Sequence, residues 1–204
     1  MFITFEGIEG CGKSTQSKLL FEELIDRGFS VVLTREPGGT EASEEIRRII
    51  LKKWEERFTP FAELSLYEAA RSLHVENLIR PSLNEGAVVI CDRFTDSTVA
   101  YQGYGRGLSL ELIERLNLEA TGGLRPDLTF LLDLPVEAAF KRLERKSLDR
   151  MESEERSFHE RVREGFLEIA EREKERVVVL DGTQDVEEIF NHVLRIVLER
   201  LNAL

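Results

Sequence analysis

Eight consecutive residues near the start of the chain have the types and the spacing of a phosphate-binding loop. Residues 7–14 read Gly-Ile-Glu-Gly-Cys-Gly-Lys-Ser and match the pattern G-x-x-x-x-G-K-[ST]. Glycines allow backbone N–H groups to turn inward around phosphate oxygens, Lys13 can reach the β- and γ-phosphates, and the Ser14 hydroxyl can bind Mg²⁺. The pattern therefore predicts a site for a nucleotide phosphate and its magnesium ion.

Two charged residues, Asp92 and Arg93, directly follow an apolar run at 87–91. A carboxylate at the end of a strand beside a phosphate-binding loop is the usual second anchor for Mg²⁺, either directly or through water. The arginine beside it can form two parallel hydrogen bonds to phosphate oxygens. We therefore expect Asp92 to bind the metal and Arg93 to bind a phosphate group.

A second charged pair, Arg35 and Glu36, precedes the sequence Pro37-Gly38-Gly39. A tight turn by itself explains the proline and the glycines, because these residues favour turn conformations. It does not explain the charged pair before them, which is therefore a further candidate for the site.

Five short apolar runs predict the buried parallel strands that position these residues. The runs are rich in β-branched or aromatic residues and lack clean alternation, as expected for strands covered on both faces. They lie at 2–5, 30–34, 87–91, 128–133 and 177–181. Helical patterns separate them, and the last extends over 186–201. The alternation predicts an α/β fold with a five-stranded parallel sheet, helices on both faces, and ligands beyond the carboxyl ends of the strands.

The composition is that of a single acidic globular domain. The chain has 204 residues, a hydrophobic content of 42% and a formal net charge of −11. Affinity for nucleic acid comes mainly from neutralising phosphates, so an acidic chain without a long basic face is not expected to bind it. The two cysteines, Cys11 and Cys91, are too few for a disulfide framework. Because the sequence has neither a membrane-spanning apolar stretch nor a leader, we expect a cytoplasmic protein without a membrane partner.

The three histidines do not indicate a metal site. His74, His159 and His192 are scattered along the chain without the spacing of metal ligands. We therefore expect them to be packing or surface residues.

One segment, 141–163, is highly basic and has few apolar residues. One interpretation is the solvated face of a helix-turn-helix, since runs of charge usually face water. The other is a mobile basic lid over a phosphate site. The composition of the segment is compatible with both.

Three segments together resemble the bacterial thymidylate kinase family. They lie at 35–40, 89–103 and 125–129, and with the phosphate-binding loop they extend the similarity over about residues 2–190. The middle segment contains Asp-Arg-Phe-Thr-Asp-Ser-Thr-Val-Ala-Tyr-Gln, which is specific to that family among nucleotide kinases, whereas the loop alone is not. The resemblance implies a nucleoside-monophosphate kinase core of five parallel strands, in agreement with the number of predicted strands.

The resemblance also implies an activity and an organisation. The reaction is ATP + dTMP → ADP + dTDP, with Mg²⁺ as the cofactor. One kinase domain would occupy residues 1–204, with an acceptor-binding region at about 35–75 and a lid at about 141–157. Members of this family usually form homodimers, and we expect one here.

The resemblance further implies roles for individual residues. Those that would bind ATP are Gly7, Ile8, Glu9, Gly10, Cys11, Gly12, Lys13, Ser14 and Thr15, with Ser14 and Asp92 on the metal. Those that would bind dTMP are Glu9, Glu36, Pro37, Arg47, Tyr67, Arg71, Arg93, Thr98, Tyr101 and Gln102. Tyr67 stands where relatives usually have Phe, and it can still stack on the base. Arg71, Thr98 and Gln102 would recognise the base. Tyr101 would lie against the deoxyribose and crowd out a 2′-hydroxyl.

Glu9 is an acid inside a phosphate cradle, where charge repulsion should disfavour it. An acid persists there more easily if it contacts something other than phosphate. In relatives it faces the 3′-hydroxyl of the acceptor sugar. The alternative is a solvent-facing side chain whose charge is screened.

The source of the catalytic positive charge is the second notable feature of the loop. Some family members place an arginine in the loop itself, but none of its variable positions is basic here. The lid must then supply the charge, and its candidates are Arg142, Arg145 and Arg150. The sequence Leu-Asp-Arg at 148–150 fits the family best and favours Arg150. The implied catalytic residues are Lys13, Arg35, Arg93, Arg145 and Arg150.

Two other classes of protein share a phosphate-binding loop. Another nucleotide or nucleoside kinase is the nearer alternative, and the Asp-Arg-Phe…Tyr-Gln segment argues against it. A P-loop switch or motor ATPase is the more distant one. The chain has neither the Asn-Lys-x-Asp motif of GTPase switches nor the Leu-Ser-Gly-Gly-Gln run of transporter ATPases.

Overall fold

A central sheet of five parallel strands organises the computed structural model, which describes residues 1–143 and 149–202. The strands are β1 (Phe2–Glu6), β2 (Val31–Arg35), β3 (Val88–Asp92), β4 (Leu128–Asp133) and β5 (Val177–Asp181). Their order across the sheet is β2-β3-β1-β4-β5. The predicted α/β fold is confirmed, and the bounds of each predicted strand lie within one residue of those observed.

Helices connect the strands throughout the described residues. They are α1 (Lys13–Asp26), α2 (Glu41–Leu51), α3 (Pro60–His74), α4 (Arg80–Asn84), α5 (Thr95–Thr98), α6 (Leu110–Thr121), α7 (Val136–Leu143), α8 (Arg156–Arg172) and α9 (Val186–Leu201). Two π-helical turns, Val75–Ile79 and Val99–Gly105, continue α3 and α5. None of the helices in this part of the chain combines the length and the apolar composition that crossing a membrane requires.

Helices cover both faces of the sheet. Successive residues of a strand point to opposite faces, so a strand of consecutive apolar residues must be covered on both. Phe2 packs into a cluster with Val75 on one face. Its neighbour Ile3 belongs to the larger cluster on the other face, which includes Leu20 of α1 and Val193 of α9. The β1 strand is therefore buried on both sides, as its unbroken apolar sequence predicts.

The parallel register brings the carboxyl ends of three neighbouring strands together. Phe5 of β1 lies opposite Asp92 of β3, and Asp92 lies opposite Arg35 of β2. Residues that directly follow these strands are therefore close in space although they are far apart in the chain. This edge of the sheet is where ligands bind in such folds.

The basic segment 141–163 is not a uniformly solvated face. The α7 helix ends at Leu143 and α8 begins at Arg156. Phe158 and Val162 of α8 are buried in the core, and the Phe158 ring lies 6.1 Å from that of Tyr101. The expectation of a solvated helix-turn-helix is wrong for α8, because its few apolar residues share one stripe that faces the core.

Candidate active site

The predicted phosphate-binding loop lies between β1 and α1. Its backbone turns inward at Gly7 and Gly12, which have φ angles of 135° and 106° and so occupy a region that favours glycine. A Cβ atom at Gly7 would lie 2.6 Å from the backbone oxygen of Leu132. The α1 helix begins at Lys13, directly after Gly12. The N-terminus of α1 therefore points its free N–H groups into the loop, where they can bind an anion.

Lys13 places its ammonium group inside this loop. Its buried Nζ donates to the backbone oxygens of Gly7 at 3.1 Å and Ile8 at 2.8 Å. The Sγ atom of Cys11 lies 3.5 Å from the same nitrogen. The positive charge is therefore held where the phosphates of a nucleotide would lie.

A hydroxyl and a carboxylate meet beside the loop. Ser14 Oγ donates a hydrogen bond of 2.5 Å to Asp92 Oδ2. The other carboxylate oxygen, Asp92 Oδ1, is buried and has no hydrogen-bond partner among the described residues. Oxygen ligands of this kind suit Mg²⁺, which proteins commonly hold through one or two carboxylates and the phosphates of a substrate. The two residues therefore fit the metal predicted for them.

Arg93 reaches across to the phosphate-binding loop. Its Nη1 donates to Gly7 O at 2.8 Å and to Ser97 Oγ at 3.1 Å, and its Nη2 donates to Glu9 Oε1 at 3.1 Å. Its φ angle of 74° lies in the left-handed region, which is strained for a side-chain-bearing residue by about 1–3 kcal/mol. Such strain persists only where the surroundings hold the backbone in place.

Glu6 is the residue that holds this backbone. Its Oε1 accepts from the Phe94 N–H at 2.7 Å, and its Oε2 accepts from Ser97 Oγ at 2.6 Å. Burial and the nearby charge of Asp96 raise the pKa of the Glu6 carboxyl to about 8. Glu6 therefore ties the Arg93 segment to the end of β1, one residue before the phosphate-binding loop.

Glu9 points into the site and not into solvent. Its Oε1 accepts from Tyr101 Oη at 2.7 Å, and its Oε2 lies 3.4 Å from His159 Nδ1. Burial alone would raise the pKa of the Glu9 carboxyl, but the charge of Arg93 and the contact with His159 lower it below its ordinary value. The alternative of a screened, solvent-facing acid is wrong, because only 14% of this side chain is exposed.

A buried arginine forms the far end of the site. Arg71 Nε donates to Glu36 Oε2 at 2.8 Å, and its Nη1 donates to Glu68 Oε1 at 2.9 Å and Asn117 Oδ1 at 2.7 Å. Its Nη2 donates to the backbone oxygen of Phe94 at 3.2 Å. Burial alone would lower the pKa of Arg71, but the two carboxylates raise it. Of its five N–H groups, these bonds use four, which leaves one for a ligand.

One cavity of about 260 Å³ joins the two ends. The predicted site residues that line it are Glu9, Gly10, Lys13, Ser14, Arg35, Glu36, Pro37, Arg47, Tyr67, Arg71, Asp92, Arg93, Thr98, Tyr101 and Gln102. Thr98 Oγ1 is buried there and lacks a hydrogen-bond partner within the described ranges. The cavity therefore offers a phosphate-binding end and a polar end that can bind a second molecule.

A family model described as thymidylate kinase matches residues 5–193. The chain belongs to the thymidylate kinase family. A thymidylate kinase of Sulfurihydrogenibium sp. is 54% identical over 188 residues, which cover 92% of each chain. One from Geotalea daltonii is 52% identical over 210 residues, which cover 99% of this chain and 98% of its own. The crystal structure of thymidylate kinase from Ehrlichia chaffeensis has a TM-score of 0.79 and 38% identity, covering 97% of this chain and 98% of that chain.

Membership of the thymidylate kinase family confirms the predicted resemblance, the kinase class and the nucleoside-monophosphate kinase fold. The two alternatives, another nucleotide or nucleoside kinase and a P-loop switch or motor ATPase, are therefore wrong. The roles of individual residues stay predictions, since family membership alone does not assign them.

Of the arginines predicted for the thymidylate kinase lid, the two that the structure describes, Arg142 and Arg150, do not line the cavity. Arg150 donates from Nη1 to Glu63 Oε2 at 2.6 Å and from Nε to Ile50 O at 2.7 Å. Arg142 donates from Nη1 to Gly10 O at 3.1 Å, so it contacts the phosphate-binding loop from outside. Arg145 lies outside the described residues.

Arg35 at the end of β2 and Arg47 on α2 are two further predicted arginines of the cavity. The exposed Arg35 side chain pairs with Glu44 at 2.9 Å. Arg47 Nη1 donates to Pro37 O at 2.8 Å. Both guanidiniums line the cavity, so both are placed to meet the phosphate of an acceptor.

Several residues of the site were not predicted from the sequence. Glu6, Glu63 and Asn117 hold Phe94, Gln102 and Arg71 through hydrogen bonds, and His159 lies against Glu9. One signal could have found Glu63, because it shares a spacing of four with Tyr67 and Arg71 and therefore lies on the same face of α3. The partners of the others come from distant elements, and no local pattern indicates them.

Proposed function

We propose that this chain transfers the γ-phosphoryl group of ATP to the phosphate of dTMP, forming ADP and dTDP. The observation that carries the proposal is the single cavity that joins Lys13 of the phosphate-binding loop to Arg71 at the polar end. Such a transfer needs the donor and the acceptor side by side in one space. Membership of the thymidylate kinase family supports the same reaction.

The phosphate-binding loop would bind ATP together with Mg²⁺. The loop supplies inward N–H groups and the Lys13 ammonium, while Ser14 and Asp92 would hold the metal. When bound, Mg²⁺ would neutralise part of the charge of the phosphates. The unpartnered Asp92 Oδ1 supports this assignment.

The acceptor phosphate requires no general base. The second pKa of a phosphate monoester is about 6, so the group is largely dianionic at neutral pH. The obstacle is the approach of two polyanions, and catalysis is therefore positioning with charge neutralisation. Lys13, Arg35 and Arg93 would supply positive charge from the sheet edge. Arg145 and Arg150 are the candidates from the lid.

The polar end would bind the nucleoside of dTMP. Tyr67 would stack on the base, and Arg71, Thr98 and Gln102 would hydrogen-bond its edge. Tyr101 and Glu9 would contact the sugar, with Pro37, Glu36 and Arg47 completing the acceptor-binding region at about 35–75. The free N–H of Arg71 and the unpartnered Thr98 hydroxyl support this orientation.

We also infer that the chain acts as a homodimer in the cytoplasm, as one kinase domain with a lid at about 141–157. Two exposed apolar side chains support the dimer: Phe61 of α3 is 58% exposed and Leu118 of α6 is 59% exposed, on helices that pack together. A second chain that covered these side chains would remove their apolar surface from water. A solution mass equal to one chain of 23.4 kDa would contradict the dimer.

A panel of nucleoside monophosphates tests the proposed function. ADP formation from ATP is measured with dTMP, dUMP, dCMP and dGMP and without any acceptor. We expect the highest kcat/KM with dTMP, slower turnover with dUMP, and no sustained ADP formation without acceptor. Equal turnover of dGMP, or ADP formation that does not need an acceptor, would contradict the proposal.

A further inference from the structure

A buried carboxylate links the polar end of the cavity to the lid. Because dTMP would bind at this polar end, we call it the acceptor end, and we call the phosphate-binding end the donor end. Glu63 lies in the first turn of α3, and only 1% of its side chain is exposed. Its Oε1 accepts from Gln102 Nε2 at 2.8 Å and from Arg106 Nε at 3.0 Å. Its Oε2 accepts from Arg106 Nη2 at 3.0 Å and from Arg150 Nη1 at 2.6 Å. Four hydrogen bonds from three residues therefore converge on one side chain.

The cluster around Glu63 is balanced in charge. Arg106 also pairs with Glu154 at 2.7 Å, so two carboxylates face the guanidiniums of Arg106 and Arg150. Burial alone would raise the pKa of the Glu63 carboxyl, but the hydrogen bonds and the charge of Arg106 lower it. An ionised carboxylate in this position can only accept hydrogen bonds.

This restriction fixes the direction of the Gln102 amide. Because Glu63 cannot donate, Gln102 must turn its NH₂ group toward it. Gln102 lines the cavity, and with its NH₂ group bound to Glu63 its amide oxygen is the side-chain group that remains for a ligand. A thymine ring carries a hydrogen-bond donor at N3, whereas cytosine carries an acceptor there. An oxygen in this place therefore favours thymine.

The same carboxylate anchors the described part of the lid. The Arg150 backbone N–H donates to Leu51 O at 3.1 Å, and its guanidinium lies 4.4 Å from the centre of the Phe58 ring. The residues on either side of it in the chain, Asp149 and Met151, line the cavity. Holding Arg150 therefore holds these neighbours against the acceptor end.

We propose that Glu63 is a positioning residue that sets the amide of Gln102 toward the base and anchors Arg150, so that one carboxylate governs both recognition of the base and placement of the lid. The proposal rests on the proposed function and adds to it a residue that contacts neither substrate. It also gives Arg150 an anchoring role, which differs from a direct contact with the transferred phosphoryl group.

The test is Glu63→Gln, which keeps the shape of the side chain and removes its charge. Turnover of dTMP by the unaltered protein is measured first, so a failure of the proposed function shows there and not in the variant. We expect the KM for dTMP to rise roughly ten- to hundredfold, as losing hydrogen bonds to a charged group implies. The KM for ATP should change by less than about threefold, because the donor loop does not contact Glu63.

The selectivity between dTMP and dCMP should not change if Glu63 only stabilised the fold, so it is the second measurement. With the charge removed, Gln102 is free to present its NH₂ group to the base. The preference in kcat/KM for dTMP over dCMP should therefore fall by about tenfold. A KM for dTMP within about twofold of the unaltered protein and an unchanged preference, in a folded variant, overturn the proposal.

A matched control and a second variant keep the outcome clear. Glu168→Gln makes the same change from a carboxylate to an amide at a residue that does not line the cavity and accepts from Arg172 Nη2 at 2.9 Å, and it should leave both readouts unchanged. If Glu63→Gln does not fold, Arg150→Met tests the pair from the lid side and should also raise the KM for dTMP. A lower kcat with an unchanged KM in Arg150→Met would instead make Arg150 a catalytic residue and overturn its anchoring role.

Discussion

The two ends of the cavity are built in different ways. The donor end is made by one contiguous stretch of chain, and most of its binding groups are backbone N–H groups and the Lys13 ammonium. The acceptor end is made by side chains from separate elements, with Arg71 on α3 joined to Glu36 after β2 and to Asn117 on α6. Local chain geometry therefore builds one end, and tertiary packing builds the other.

This difference changes what each end contributes to stability. At the acceptor end, buried charges neutralise one another, so removing one leaves its partners uncompensated at a cost of about 3–5 kcal/mol. At the donor end, Lys13 contacts two backbone oxygens and the sulfur of Cys11, and a hydrogen bond to a backbone oxygen is worth about 1 kcal/mol. The acceptor end should therefore be part of the folding core, whereas the donor end should matter mainly to catalysis.

The largest effect on folding is expected from Arg71→Met. This change removes a guanidinium that is 2% exposed, which leaves Glu68 without its ion-pair partner and Glu36 with only His74. The free energy of unfolding in urea should fall by about 3–5 kcal/mol. The control is Arg48→Met, which removes an exposed arginine paired with Glu45 and should change stability by less than about 0.5 kcal/mol. A loss below about 1 kcal/mol for Arg71→Met would contradict the view that the acceptor end belongs to the core.

Lys13→Ala should reduce activity strongly and stability only slightly, in contrast to Arg71→Met. We expect kcat to fall by about 10²–10³, because a positive charge aimed at the transferred group is lost. The free energy of unfolding should fall by only about 2 kcal/mol, about 1 kcal/mol for each of the two lost bonds to backbone oxygens. Steady-state kinetics and urea unfolding on the same preparation measure both quantities. Lys18→Ala, which removes an exposed lysine of the same helix, is the control and should change neither. A stability loss as large as that of Arg71→Met would remove the distinction between the two ends.

The same difference explains which parts of the molecule could be predicted from the sequence. The strands, the α9 helix and the donor loop depend on local patterns, and the predicted α9 bounds of 186–201 agree with those observed. Apart from Arg93 and the charged pair Arg35 and Glu36, the acceptor end was predicted only through the family resemblance. The spacing of Glu63 on α3 could have indicated its face but not its partner Gln102, which lies 39 residues away, and Asn117 was missed because it lies 46 residues from Arg71. Pairings of that separation depend on how elements pack and leave no periodic signal.

His159 and Arg150 show that the sequence can single out a residue without indicating its partner. His159 is buried against Phe158, in agreement with the packing residue expected from the sequence, but its position did not indicate that α8 carries it to within 3.4 Å of Glu9. Arg150 was chosen for the transferred phosphoryl group, whereas its guanidinium pairs with Glu63 in this structure. In both cases the residue type was informative, and the partner depended on the three-dimensional arrangement.

The smallest expected effect concerns Tyr101, which lies where the two ends meet. Its hydroxyl donates to Glu9 of the donor loop at 2.7 Å, while its ring packs against Phe158 and Phe166 in the core. In Tyr101→Phe the ring remains and only the bond to Glu9 is lost. The KM for dTMP should rise by about fivefold, because a less constrained Glu9 contacts the sugar less well.

The preference of Tyr101→Phe for dUMP over UMP should stay unchanged, since the ring and not the hydroxyl fills the space of a 2′-hydroxyl. The control is Tyr104→Phe, which removes a hydroxyl that donates to Glu168 at 3.0 Å on the surface. It should alter neither the KM for dTMP nor the preference for dUMP over UMP. A loss of the deoxyribose preference in Tyr101→Phe would mean that the hydroxyl itself excludes the ribonucleotide. The Tyr101 hydroxyl would then recognise the sugar directly and not by positioning Glu9.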